Sequence, residues 1–292
     1  MIGVKATAFA PGHISGFFEP VYSKQDFARS GSRGAGINVS LGAISEVVVK
    51  NSLKQDFEIF INNRKSNAIV TKLALRYILG EKPVNILVNT KIQLPTSQGF
   101  GMSAASALSA TLALAKVIRV SSTEAMKAAH CAEVQLKTGL SDVLASCFGG
   151  IEIRKEAGLP PWGMIEHIPG KYELVLCIVG KKMDTKKILF DTQKVSKIVD
   201  YGKYCTKKLL ENPSIENFFS LSQTFTKKTE LADKSVLEAI NVANKFGMAS
   251  MCMLGNSVFA IGKTDELCKV LSPFGKIYIC SVDEYGARIL EE

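Results

Sequence analysis

The sequence predicts an α+β chain in two halves, and three observations carry that prediction. Segments rich in β-branched and aromatic residues open the chain at 2–9, 44–50 (ISEVVVK) and 56–62 (DFEIFIN); such runs favour strands. Helical stretches of small residues follow, led by Ser103 to Ala115 (SAASALSATLALA). A Pro-rich stretch at 155–171 (KEAGLPPWGMIEHIPGK) then breaks the pattern before a new strand, YELVLCIVG, starts it again. The expected division is therefore 1–160 and 161–292, sizes ordinary for domains.

Between the first strands, residues 10–43 are dense in Gly and Ser and read as a long irregular segment; that length inside a domain usually marks function. Residues 66–79 read as a helix and 84–92 (VNILVNTKI) as a strand. The stretch Pro95-Thr-Ser-Gln-Gly99-Phe100-Gly101 feeds the small-residue helix, which ends near Val120. SSTE at 121–124 is a capping-box start for a helix to about 138, which Gly139 stops. A short helix leads to Gly149–Gly150 and the strand IEIRK. The second half continues with helices at 193–211, 214–230 and 235–247. Strands MASMCMLG and SVFAIG follow, joined around Gly255–Asn256, then a helix at 265–272 and a strand at 276–282.

Composition narrows the function. The apolar part of the small-residue helix is 13 residues long, short of the ~20 that span a bilayer. The N-terminus lacks the apolar core and cleavage pattern of a signal peptide. A cytoplasmic protein with no membrane partner is expected. Seven cysteines stand singly with no CxxC pair, which favours reduced thiols over disulfides or zinc. With only His13, His130 and His167 present, a histidine-rich metal site is not expected. Against 27 acidic residues stand 36 Lys and Arg, but they are spread thinly. Their densest pairs, at 181, 186, 207 and 227, read as solvated faces, so no nucleic-acid partner is expected.

Three places can carry chemistry, each with a plainer alternative. Gly99-Phe100-Gly101-Met102-Ser103-Ala104 leads into a helix N-terminus, where free N–H groups and the helix dipole favour an anion such as phosphate; the alternative is a helix cap with small residues for close packing. It matches the G-x-G-x-x-G/A fingerprint only formally, because Pro95-Thr-Ser-Gln intervenes after the strand and the acid some 20 residues on, Glu124, opens a helix. His130 and Glu133 share one face of an otherwise apolar helix. A carboxylate there needs a cation such as Mg²⁺, with Ser103 as a second oxygen ligand; the alternative is a surface pair of Glu133 with Lys137 and a His130 at the edge of the core. Asp142, in the first turn after a glycine break, can orient or deprotonate a hydroxyl, or can simply be a helix-start acid.

Taken together these stretches resemble the GHMP kinase superfamily. Its signature P-x-x-x-G-L-G-S-S-A-A is similar to Pro95-Thr-Ser-Gln-Gly99-Phe100-Gly101-Met102-Ser103-Ala104-Ala105, with Met102 where the family has its first serine. Glu133, Gly139-Leu-Ser-Asp142 and Gly149-Gly150 resemble its downstream pattern. APGHISGFFEP stands at its first motif and MCMLGNSVFAIG at its third, where Gly255-Asn-Ser replaces a glycine-rich run. The resemblance implies a left-handed βαβ crossover in the N-terminal half, a ferredoxin-like C-terminal half, and ATP with Mg²⁺.

Within the superfamily, APGHISGFFEP, SGSRGAGIN and MLGNSVF resemble most the archaeal branch that phosphorylates the 4-hydroxyl of pantoate on the route to coenzyme A. Carried over by motif, Ser103 and Glu133 hold Mg²⁺, the backbone of Gly99 to Ser103 cradles the phosphates, and Asp142 addresses the hydroxyl. An acidic substrate calls for a cation or oriented donors, and Arg154, His130, Arg33 and His13 are the candidates. Homoserine, mevalonate or shikimate as acceptor, and a non-catalytic nucleic-acid-binding member of the fold, are the alternatives. A homodimer is the assembly expected of such enzymes.

Overall fold

The chain opens with one long hairpin. In the computed structural model, which describes residues 4–183 and 191–291, β1 (Val4–Val21) and β2 (Gly31–Asn51) pair antiparallel from Val4↔Val49 to Val21↔Gly31. The start of the first expected strand at residues 2–3, and the basic pair at 186, lie outside the described residues.

The Gly- and Ser-rich segment 10–43, expected to be irregular, is therefore mostly strand. Its alternation is hidden because both faces are covered, so buried residues follow one another without polar partners between them. Two bulges, at Pro11/Gly12 and Ser15/Phe17, bend β1. Over its second half β2 pairs with β5 (Val84–Ile92), and over its first half with β6 (Ile151–Glu156). One edge of β2 thus serves two neighbours, while β1 occupies the other.

β3 (Asp56–Ile61) runs parallel to β5, and α1 (Ile69–Leu79) makes the crossover between them. The two-residue β4 (Arg64–Lys65) borders β3. On the sheet lies α2 (Met102–Ile118), whose alanines let it sit close to β1 and β2 with α1 and α3 (Ser122–Gln135) at its sides. Ser109 of α2 is tied to the sheet by a buried hydroxyl chain, Ser109 to Ser45 at 2.7 Å and Ser45 to Thr90 at 2.8 Å. The capping box at Ser121 and Glu124 forms as the sequence implies. The short α4 (Asp142–Phe148) follows.

Strand β7 (Met164–Ile168) pairs with β6. It lies inside the stretch expected to be a loop and beyond residue 160, yet it belongs to the first sheet; Pro160 and Pro161 fall in the turn that leads into it and Pro169 directly follows its end. The chain end also returns to this sheet, as β12 (Arg288–Glu291) beside β1.

The second sheet holds β8 (Glu173–Ile178), β9 (Gly247–Met251), β10 (Ser257–Gly262) and β11 (Lys276–Ser281). Its order, β11-β8-β10-β9 with every pair antiparallel, is the ferredoxin-like order. Helices α5 (Thr192–Glu211), α6 (Ile215–Thr229) and α7 (Lys234–Ala243) fill the first crossover and α8 (Thr264–Leu271) the second. Phe17 of the hairpin packs at a tilt against Phe218 and Phe225 of α6, and Phe219 meets Phe259 of β10 at 5.0 Å. The aromatic cluster joins the two halves in one core.

Candidate active site

A cleft of about 670 Å³ lies where α2 begins. Gly101 takes the left-handed conformation (φ 61°) that turns the chain into α2, and no side chain caps the helix. The first N–H groups of a 17-residue helix are thus left for another acceptor. Gly99 to Ala104 all line the cleft. Phe100 and Met102 bury their side chains in the core and contribute backbone there, while the Ser103 side chain is exposed. Pro95 begins the loop outside the lining.

The loop is braced from both halves. His13 donates its backbone N–H to the Phe100 carbonyl at 3.1 Å. From the C-terminal half, the Ser257 hydroxyl donates to the Gln98 carbonyl, and Gly255 lies so near that a Cβ there would meet the Gln98 carbonyl carbon at 2.1 Å. The divergent third motif therefore packs against the glycine-loop backbone, and Met253 and Leu254 beside it reach the cleft.

Two carboxylates face this loop. Glu133 of α3 is buried, lines the cleft, and leaves Oε2 without a hydrogen-bond partner. Burial raises its pKa well above the carboxylate range and the Asp142 charge raises it further, against the N–H of Val143. An orphaned buried carboxylate oxygen and an exposed serine hydroxyl lining one cleft suit a hard cation. Asp142 opens α4, with 29% of its side chain exposed, and receives His13 Nδ1 at 2.6 Å. Ser141, just before it, binds the Ser32 N–H at 2.7 Å and so ties α4 to the hairpin.

The four expected substrate cations are placed elsewhere. His13 is buried with both ring nitrogens engaged, Nδ1 by Asp142 and Nε2 by Glu152 at 2.8 Å, which leaves neither for a substrate. Arg154 is fully buried, bonded to Glu152 and, through Nη2, to the Ser15 hydroxyl at 3.3 Å. It meets the cleft lining directly at Ser15, and indirectly through Glu152 and His13 at Asp142. His130 is buried against the Ser30 carbonyl at 2.9 Å, and burial lowers its pKa, so it is a neutral structural tie. Arg33 pairs across the hairpin with Glu19 at 3.0 Å, outside the cleft lining. Burial removes His13, Arg154 and His130 behind the wall of the site, and the cross-hairpin pair with Glu19 holds the partly exposed Arg33 away from it.

Sequence reasoning passed over Glu152, Ser15 and Ser141. Glu152 did leave a signal, since it and Arg154 share one face of IEIRK opposite the glycines of SGSRGAGIN. Lys137, named only as a surface partner for Glu133, is the lining Lys or Arg among the described residues.

An uncapped helix start facing two carboxylates across one cleft suits phosphoryl transfer to a small alcohol, and the two-sheet scaffold is that of the GHMP kinases. The comparisons agree. The family described as "GHMP kinases N terminal domain" matches residues 67–150. The pantoate kinase of Methanocaldococcus jannaschii is 32% identical, over 94% of this chain and 99% of its own. That of Methanospirillum hungatei JF-1 is 33% identical, over 98% and 96%. A solved structure described as "Phosphotransferase related to CoA biosynthesis pathway" superposes with a TM-score of 0.89 at 27% identity, covering 99% of both chains. The chain belongs to the pantoate kinase family of the GHMP kinases and is an ATP-dependent kinase. No helix among the described residues is long and apolar enough to cross a membrane.

Proposed function

We propose that this chain transfers the γ-phosphoryl group of ATP to the 4-hydroxyl of pantoate, with Mg²⁺ bound, and that Asp142, Glu133 and Ser103 carry the reaction. The observation that carries the reading is the convergence of those three residues on one cleft at the uncapped start of α2. Similarity to pantoate kinases over nearly the whole chain supports the acceptor.

Phosphoryl transfer proceeds through a loose transition state in which positioning and charge neutralisation do most of the work. The N–H groups from Gly101 to Ala104 receive the phosphates, where the helix dipole favours them. Glu133 and the Ser103 hydroxyl would hold Mg²⁺, which neutralises phosphate charge when bound. Mg²⁺ is commonly held by one or two protein oxygens with phosphates and water completing its shell. Asp142 accepts the hydrogen bond of the acceptor hydroxyl and points its oxygen along the line of attack. His13 beside it, whose pKa is raised against burial by its hydrogen bonds to Asp142 and Glu152, makes Asp142 a better orienter than a proton sink. The hairpin residues Ser15, Phe18, Tyr22 and Ser32 line the cleft and give the acceptor hydroxyls and apolar walls, which suit a branched hydroxy acid.

Product analysis tests the regiochemistry. The 4-hydroxyl is on a CH₂ group, so its phosphate ester gives a proton-coupled phosphorus triplet. A doublet would mean transfer to the 2-hydroxyl and would refute the assignment.

A further inference from the structure

Behind the cleft wall, four charged side chains run in one buried line. Arg154 Nη1 and His13 Nε2 both donate to Glu152 Oε1, and His13 Nδ1 meets Asp142 at the cleft. Arg154, Glu152 and the His13 side chain are fully buried, while Asp142 alone is partly exposed. Glu152 is not in the cleft lining and touches the site only through these partners.

Such a line is costly to bury, and where only packing is needed apolar residues of like volume serve as well or better. The fold nevertheless makes room for it. β6 sets Glu152 opposite Gly36 of β2, and a Cβ at 36 would lie 2.3 Å from His13 Nε2 and 2.8 Å from Glu152 Oε1. Both carboxylate and imidazole are thus carried on paired strands, the rigid support a positioned group needs. One end of the line is the residue that faces the acceptor.

We propose that Glu152 is a positioning residue for Asp142, acting through His13. It holds the imidazole edge-on to Asp142 with a proton on each nitrogen, so that one oxygen of Asp142 is fixed by Nδ1–H and the remainder of the carboxylate is presented to the acceptor hydroxyl. Arg154 supplies the counter-charge that lets Glu152 stay ionised in the wall. The effect on turnover rests on the proposed kinase reading; the effect on His13 does not.

The charge on His13 agrees with this geometry. Burial opposes it, but the hydrogen bonds to Asp142 and then Glu152 prevail and raise its pKa above the ordinary value. The charged groups that face the ring are Asp142 from α4 and Glu152 and Arg154 from β6, with Glu133 of α3 acting on Asp142. From the glycine loop only backbone reaches His13.

The test is a pH titration of the full chain labelled with ¹⁵N-histidine, alongside steady-state kinetics. The chain has only three histidines, and His13→Asn assigns the signal. In Glu152→Gln the His13 midpoint is expected to fall by at least about one pH unit. The alkaline limb of kcat should fall with it, and kcat above that limb should drop by about tenfold or more while KM for ATP holds. If Glu152→Gln leaves Arg154 uncompensated and fails to fold, Glu152→Gln/Arg154→Met removes both charges and carries the same expectation. An unchanged His13 midpoint in a folded variant overturns the proposal, as does a shifted midpoint with an unmoved pH–kcat limb. Wild-type protein that turns over no acceptor fails the kinase reading instead, and the histidine titration then decides alone whether Glu152 sets the His13–Asp142 pair.

Discussion

The chain that leaves α3 folds back onto the carboxylate of α3 itself: a Cβ on Gly139 would lie 2.1 Å from Oε1 of Glu133 and 2.6 Å from its carboxyl carbon. The glycine break and the buried glutamate are therefore one device. Gly139→Ala should push the Glu133 carboxylate off its seat while leaving the core intact, because the clash involves one side chain. We expect affinity for Mg²⁺-ATP, read by calorimetry, to fall by about tenfold or more, since small displacements of positioning groups are costly.

Replacing that glutamate separates stability from activity. The folded-state pKa of Glu133 is raised, first by burial and then by Asp142. The contribution of such a group is fully present below the unfolded carboxylate value and is lost as pH rises through the folded one. Glu133→Gln should thus make the ligand-free protein more stable than wild type at neutral pH and flatten the fall in stability above the carboxylate range. Denaturant midpoints across pH check this, and the same variant should need much more Mg²⁺ for half-maximal turnover. A metal titration equal to wild type would remove Glu133 from the proposed ligands.

At the third motif, Gly255 packs on the Gln98–Gly99 backbone. Gly255→Ala should displace the loop that opens α2. KM for ATP is expected to rise by about tenfold, with a smaller change for the acceptor, because the loop serves the phosphates.

The fold was largely legible from residue pattern, and the places where it was not share a cause. The loop at 95–101, the capping box at Ser121, the second-half elements and the places of Glu133 on α3 and Asp142 in the first turn of α4 all follow local rules of periodicity and turn chemistry that hold here. The hairpin across 10–43 was hidden because its glycines answer to partners far along the chain, such as the Glu152 carboxylate opposite Gly36. No local pattern reveals a neighbour more than a hundred residues away. For the same reason Arg154 and His130 read as candidates to meet the substrate, while the packing of β6 and α3 turns them inward. Strand β12 escaped because four residues at a chain end carry too little periodicity to register.

That chain end also steadies α4. Buried Asp283 accepts from the Gly286 N–H at 2.8 Å and from Arg288 at 3.0 Å, its carbonyl receives the Gly150 N–H at 2.7 Å, and Ala287 bonds the Ser146 carbonyl at 2.8 Å. Asp283→Ala should cost about 1–3 kcal/mol, since it leaves buried donors unpaired. Urea denaturation measures it; a loss below about 0.5 kcal/mol, typical of ordinary surface positions, would contradict the clasp.

The most direct test is ADP release from ATP and Mg²⁺ with pantoate, homoserine, mevalonate and shikimate in turn, using wild-type and Asp142→Asn proteins. The account predicts turnover with pantoate, a loss of about 10²–10⁴-fold in the variant, and nearly unchanged ATP binding. Turnover with another acceptor alone would contradict the substrate, and an Asp142→Asn protein as fast as wild type would contradict the mechanism.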